Sequence, residues 1–97
     1  MLSISILGQR YSPRVLNYKR DGFPPGAINI MRPGKWGNIF VIGRDGSRAE
    51  VCAKYKKYYR RNKKLQASIG ELTGKDLICC CKPLECHGDF LLSEANP

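Results

Sequence analysis

Side chains that can react or bind metals are concentrated near the carboxyl end of the chain. Four of the five cysteines, the single histidine and an aspartate lie within residues 79–89. An apolar run precedes this segment and another follows it, which predicts a buried strand, a proline-containing loop and the first turn of a helix. Such a junction can hold a metal with thiolates, activate one thiol, or bind an anion with backbone amides.

The spacing of these residues disfavours a closed zinc site. Cys79 and Cys81 share one face of the predicted strand, and Cys86 and His87 follow the loop at residues 82–85. A Cys-x-Cys spacing on a strand separates the two sulfurs, and the side chains of adjacent residues diverge at a helix start. We therefore predict no metal and no other cofactor, with a structural zinc ion as the alternative.

The same segment also suggests a nucleophilic thiol. A cysteine at a helix N-terminus is acidified by the backbone amides and the helix dipole. His87 is the single imidazole, and it pairs more easily with Cys79 or Cys81 than with its neighbour Cys86. Asp89 would orient or polarise a partner. The candidate catalytic residues are Cys81, Cys86, His87 and Asp89.

The third interpretation is an anion site formed by two loops. Free amides at the predicted helix start suit a phosphate, Gly88 would allow its close approach, and His87 could donate a hydrogen bond. A second loop at residues 32–40 contains two glycines, a proline and two cations. Because ligands of open α/β sheets bind at the carboxyl ends of strands, we expect this loop to meet the loop at residues 81–89.

Side chains of the first loop have specific expected roles. Arg32 and Lys35 would neutralise phosphate, Trp36 would stack on a base or wall the pocket, and Asn38 would form a hydrogen bond. The structural alternative is that Trp36 anchors the loop by burying its ring. The predicted ligand-binding residues are Arg32, Lys35, Trp36, Asn38, His87 and Gly88.

The charge of the chain favours polyanionic partners. Seventeen Lys and Arg residues against eight Asp and Glu residues give a net charge of +9. Nucleotides and nucleic acid are the expected partners, and an acidic host protein is the alternative. No apolar run approaches the ~20 residues that a membrane-spanning helix needs, and no export signal precedes the first predicted strand, so we expect a cytoplasmic protein without a membrane partner.

Basic residues gather on one predicted helix. Ser47 and Glu50 match a capping box, and the apolar and aromatic residues that follow keep helical spacing on one face. Cations cover the opposite face without interleaved carboxylates, an arrangement that repels itself unless an anion is near. A solvated face is the alternative. The predicted nucleic-acid-binding residues are Lys56, Lys57, Arg60 and Arg61.

Alternating strands and helices indicate an α/β fold. We predict one small domain over residues 1–97, with a short mixed sheet flanked by two or three helices. The basic helix is expected to continue or restart toward residue 72, and a short helix is expected at residues 86–95. The predicted strands span residues 2–6, 14–18, 27–31, 39–42 and 77–81.

Two sequence blocks resemble a domain-of-unknown-function family of small phage and bacterial proteins. The blocks are RPGKWGNIF at residues 32–40 and CCCKPLECHGD at residues 79–89. The family pattern has Arg…Trp-Gly-Asn-Pro-Phe and Cys-Trp-Cys-x-Pro-x-x-Cys-His-Gly-Asp, so Ile39 replaces a proline and Cys80 replaces a tryptophan. The resemblance implies a compact α/β domain in a bacterial cytoplasm, the host cytoplasm for a phage protein, and no established activity.

These observations predict a protein that binds a phosphate-bearing ligand between the two loops. The ligand would be a nucleotide or a nucleic-acid segment, and the sequence leaves open whether a nucleotide-processing reaction follows. The alternative is a basic interaction protein, with or without structural zinc, that binds host nucleic acid or an acidic host protein.

Overall fold

A parallel β-sheet forms the centre of the structure, a computed structural model that describes residues 12–97. Within that part of the chain the sheet has three strands, β1 (Val15–Asn17), β2 (Ile28–Asn29) and β3 (Leu77–Cys79), in the order β1-β3-β2. The strand predicted at residues 2–6 lies outside the described residues. The strands predicted at residues 14–18, 27–31 and 77–81 are confirmed as β1, β2 and β3.

Strand β3 is central because it is apolar along its whole length. Parallel strands are covered on both faces, and all three residues of β3 are buried. Leu77 pairs with Val15 on one side and with Ile28 on the other. The amide of Ile30 donates to the carbonyl of Ile78 at 3.0 Å, which prolongs the pairing of β2 toward the following loop.

The helices follow the predicted caps. Ser47 and Glu50 form the predicted capping box, and Asn62 caps the next helix through the amide of Leu65, so the basic helix ends and a new one starts. A 3₁₀ turn at Ile69–Leu72 follows. In residues 12–97 the α-helices are α1 (Tyr18–Asp21), α2 (Arg48–Arg60), α3 (Lys63–Ser68) and α4 (His87–Ala95).

The core contains residues of the sheet, of α4 and of the apolar face of α2. Val51, Cys52, Tyr55 and Tyr59 are buried on that face, as their helical spacing predicted. The hydroxyl of Tyr55 donates to the carbonyl of Trp36 at 2.9 Å, which ties the first loop to the helix. None of the described helices is both long enough and apolar enough to cross a membrane.

The α/β class is confirmed, although some details differ from the prediction. The described strands are all parallel where a mixed sheet was expected, and α1 and α3 raise the described α-helices to four. Residues 39–42 form a loop instead of a strand, because nearby side chains accept the hydrogen bonds of their backbone amides. The amide of Phe40 donates to Asn38 Oδ1, and that of Val41 donates to Asp45 Oδ2.

Replacing Tyr55 with Phe should destabilise the fold more than replacing Tyr58 with Phe. The first change removes a buried hydrogen bond to the loop, which contributes about 1 kcal/mol, whereas Tyr58 is only half-buried and its hydroxyl has no hydrogen-bond partner in the described structure. Urea unfolding of both variants measures the difference. Equal losses of unfolding free energy would contradict the proposed tie.

Candidate functional site

A cavity of about 300 Å³ lies between the two loops that the sequence singles out. The cavity lies beyond the carboxyl end of β3. Residues of the loop that follows β2 line it as well. The loops at residues 32–40 and 81–89 therefore meet in space. Side chains that line the cavity include Arg32, Asn38, Phe40, Val41, Ile42, Arg48, Cys81, Glu85, Cys86 and His87.

Arg32 and Asn38 fix the shape of the first loop. Arg32 Nη1 donates to the carbonyl of Asn38 at 2.6 Å, and the buried Asn38 side chain donates to the carbonyl of Val51 at 3.2 Å. A Cβ atom on Gly37 would lie 2.8 Å from the backbone nitrogen of Arg32, so glycine is needed for this close turn. The loop thus reaches the cavity as a pre-shaped segment.

His87 links this loop to α4 from inside the core. Its Nε2 lies 2.9 Å from the carbonyl oxygen of Ile30, which can only accept, so Nε2 carries the proton and donates. The His87 ring packs edge to face on Tyr55 with centroids 4.7 Å apart. Burial lowers the pKa of His87, the charge of Arg32 adds to the lowering, and the carbonyl groups of Ile30 and Trp36 oppose it. The imidazole is therefore neutral at pH 7.

Side chains at the start of α4 accept hydrogen bonds from backbone amides of the same turn. The amide of Gly88 donates to Cys86 Sγ at 3.2 Å, and the amide of Cys86 donates to Asp89 Oδ2 at 3.2 Å. Asp89 also forms an ion pair with Lys82. A Cβ atom on Gly88 would lie 2.8 Å from Ile30 Cδ1, so Gly88 packs against the core. The expected roles of Gly88 and the first-turn amides as anion donors are not what this geometry provides.

Cys79 and Cys86 form a buried thiol pair beneath the cavity. Cys86 Sγ donates to Cys79 Sγ at 3.3 Å. This hydrogen bond, with the amide of Cys81 donating to the same sulfur, lowers the pKa of Cys79 to about 6. The same bond, together with burial, raises the pKa of Cys86. The pair therefore shares one proton at neutral pH and behaves as a unit.

Cys81 is half-buried and lines the cavity beside Arg48. Burial raises the pKa of the Cys81 thiol, although a hydrogen bond with the Arg48 guanidinium opposes this. Of the four candidate catalytic residues, Cys86, His87 and Asp89 thus have internal partners. The structure brings Cys81 to the cavity as a protonated thiol next to a cation.

Lys35 and Trp36, like Gly88, lie away from the cavity lining. Lys35 Nζ forms an ion pair with Glu71 Oε2 at 2.9 Å. Trp36 is 3% exposed and belongs to the hydrophobic core, with Lys35 Nζ 5.4 Å from the centre of its ring. The structural alternative for Trp36, a loop anchored by a buried ring, is the one that the structure contains.

Arg48 is a cavity residue that sequence reasoning missed. Its Nη1 donates to the carbonyl of Glu85 at 3.0 Å, which places the first turn of α2 against the second loop. The signal was present, because Arg48 precedes Cys52 and Tyr55 by four and seven residues and therefore shares their helix face. No role was predicted for Arg48 from the sequence.

The four predicted nucleic-acid-binding residues lie on two sides of α2. Lys56 Nζ and the Arg60 guanidinium lie 5.9 and 5.6 Å from the centre of the Phe90 ring. Lys57 and Arg61 line an open groove of about 650 Å³ on the other side. We call this feature the basic groove, and its lining residues are Phe40, Lys54, Lys57, Tyr58, Arg61, Asn62, Lys63 and Lys64.

Metal ligation has no arranged donor set in residues 12–97. No group of three or more His, Cys, Asp or Glu side chains there is placed to hold a metal ion.

Comparison with known proteins identifies the family. Residues 15–97 match the family DUF4326, described as a domain of unknown function. The chain belongs to this family. It is 36% identical over 88 residues to an uncharacterised 12.4 kDa protein encoded in the nrdA–td intergenic region of Enterobacteria phage T4, covering 86% of this chain and 77% of that protein. No solved structure matches the chain. The predicted resemblance to an uncharacterised phage and bacterial family is confirmed.

The buried His87 should make the stability of this DUF4326 chain depend on pH. Its folded pKa is lowered, so the unfolded chain, with the ordinary pKa of 6.5, binds a proton first as the pH falls. The contribution of His87 to the free energy of unfolding is therefore fully present above about pH 6.5 and is lost as the pH decreases toward the lowered folded pKa. Urea unfolding between about pH 7 and pH 5 measures this loss.

The variant His87→Gln is the control, since it cannot titrate in this range. It should be less stable at pH 7, and its unfolding free energy should change less between about pH 7 and pH 5. The acidic side chains titrate equally in both proteins. Parallel curves for the two proteins would show that His87 is not the source of the dependence.

Proposed function

We propose that the cavity between the two loops binds a phosphate-bearing ligand, a nucleotide or a nucleotide unit of a nucleic acid. The observation that carries this proposal is the pair Arg32 and Arg48 on one small cavity that apolar side chains also line. Guanidinium groups match the geometry of phosphate oxygens, and apolar side chains such as Phe40, Val41 and Ile42 suit a base.

Both arginines are held in position before a ligand arrives. Arg32 Nη1 donates to the carbonyl of Asn38, and Arg48 Nη1 donates to the carbonyl of Glu85. Each guanidinium group keeps further N–H donors for an anion. An anchored side chain loses less conformational freedom on binding, so this arrangement favours affinity.

The size and charge of the site agree with this ligand class. A volume of about 300 Å³ is at the small end of ligand pockets, which suits a single nucleotide. Glu85 is the one carboxylate among the cavity residues, against two guanidinium groups. The net charge of +9 attracts anions over a longer range. We also propose a cytoplasmic location, where such ligands are abundant.

The proposal concerns binding. A nucleophile needs an accessible thiolate. The pKa of Cys81 is raised, whereas Cys79, whose pKa is lowered, lines the cavity together with Cys86 but is only 1% exposed. A bound phosphate beside Arg48 would raise the pKa of Cys81 further, because like charges disfavour ionisation. The predicted nucleotide-processing reaction therefore stays a prediction.

Arg48→Gln should weaken binding of nucleoside 5′-monophosphates about ten- to a hundredfold. A charged hydrogen bond contributes roughly 1.5–3 kcal/mol, and the corresponding loss falls in that range. Isothermal titration calorimetry with the four ribonucleoside monophosphates measures it. The matched control is Arg20→Gln, which removes the same charge from an exposed arginine that pairs with Asp21 outside the cavity lining.

A nucleoside without phosphate should bind much more weakly than its monophosphate. Equal affinity for the two ligands, or equal loss in the Arg48 and Arg20 variants, would contradict the proposal. Thermal unfolding of both variants checks that each is folded. Arg48 is half-buried in the first turn of α2 and contacts the second loop through the carbonyl of Glu85 and the thiol of Cys81.

A further inference from the structure

The cavity and the basic groove share one side chain. Phe40 lines the cavity on one side and the groove on the other. It packs edge to face on Tyr58, with ring centroids 6.3 Å apart, and both rings are half-buried. The cavity and the groove are therefore adjacent at Phe40, so that a chain longer than one nucleotide is needed to occupy both.

Among residues 12–97, no carboxylate lines the basic groove. Lys57 and Arg61 come from the end of α2, and Lys63 and Lys64 come from the start of α3. None of these four cations forms an ion pair within residues 12–97. The fifth, Lys54, donates its Nζ to the backbone carbonyl of Asp45 at 2.6 Å.

Helix electrostatics do not account for this cluster. Cations at the end of α2 are favoured by its dipole, but Lys63 and Lys64 occupy the first turn of α3, where positive charge is disfavoured. That turn contains no acidic residue. Like charges gathered at an unfavourable position lower stability unless an anion lies among them, so the cluster indicates a polyanionic ligand.

We infer that the ligand of this protein is a single-stranded nucleic acid, with one nucleotide in the cavity and flanking phosphates in the basic groove. The inference rests on the proposed function of the cavity. Aromatic rings among cations distinguish this surface from one for an acidic peptide, because bases stack on such rings. A single strand fits because the cavity admits a base that is not enclosed in a duplex.

The two sides of α2 provide a matched test. Lys57→Gln with Arg61→Gln removes two charges from the groove. Lys56→Gln with Arg60→Gln removes the same two charges from the side that faces Phe90. Both pairs occupy adjacent positions on one helix, so long-range electrostatics change almost equally.

Fluorescence anisotropy with a labelled, mixed-sequence single-stranded oligonucleotide measures affinity over a range of salt concentrations. The logarithm of the binding constant should fall with the logarithm of salt by about 0.7 for each phosphate contacted. The groove variant should lower this slope by about 1.4, for two lost contacts. The Phe90-side variant should keep nearly the wild-type slope, and an equal loss in both variants would overturn the inference.

Ligands of one nucleotide separate this inference from the proposed function. Nucleoside monophosphates should bind the groove variant with wild-type affinity, whereas Arg48→Gln should weaken both monophosphate and oligonucleotide. If Arg48→Gln weakens the monophosphate but the groove variant leaves the oligonucleotide unaffected, the inference fails and the proposed function stands. If Arg48→Gln affects neither ligand, the proposed function fails.

Two further probes test the class of polyanion. Polyglutamate should bind more weakly than the single strand at the same salt concentration, since it offers no base to stack or to enter the cavity. Equal affinity would point to an acidic protein partner and overturn the inference. A duplex of the same sequence should also bind more weakly, and tighter binding of the duplex would overturn it as well.

Discussion

The requirement that buried polar groups find hydrogen-bond partners determines the shape of this protein. The His87 imidazole donates to Ile30 at one end of the first loop, and the Tyr55 hydroxyl donates to Trp36 within it. Asn38 donates to Val51 at the far end. These side chains come from α4, from α2 and from the loop itself, so displacing the loop would leave buried polar groups without their hydrogen-bond partners.

These internal hydrogen bonds determine which polar groups beside the cavity keep donors for a ligand. His87, Asp89 and the amide of Gly88 are among the groups that most resemble anion ligands in the sequence, yet each has a partner within the chain. These groups stabilise the positions of the loops. The donors with spare capacity are the guanidinium groups of Arg32 and Arg48, each anchored through a single nitrogen.

The cationic surface is also less uniform than its composition suggests. Lys56 and Arg60 lie over an aromatic ring on one side of α2, where a cation–π contact stabilises them. Lys57 and Arg61 line the basic groove with Phe40, whose ring also lines the cavity. One helix therefore separates cations with an intramolecular partner from cations without a counter-ion in the described part of the chain.

Local patterns in the sequence determined the elements. The capping box at Ser47 and Glu50, the apolar face of α2 and the buried strand at Leu77–Cys79 depend on neighbours within a few residues, so they were predictable. The tertiary structure decided which side chains face the cavity. Asn38 and Asp45 took the backbone donors of a predicted strand, Trp36 entered the core, and Arg48 reached the second loop. These outcomes depend on contacts between residues distant in sequence, or on side chains competing with a sheet for the same amides. The helical spacing of Arg48 predicts which face of α2 it occupies, but a local pattern does not specify the distant segment that packs there.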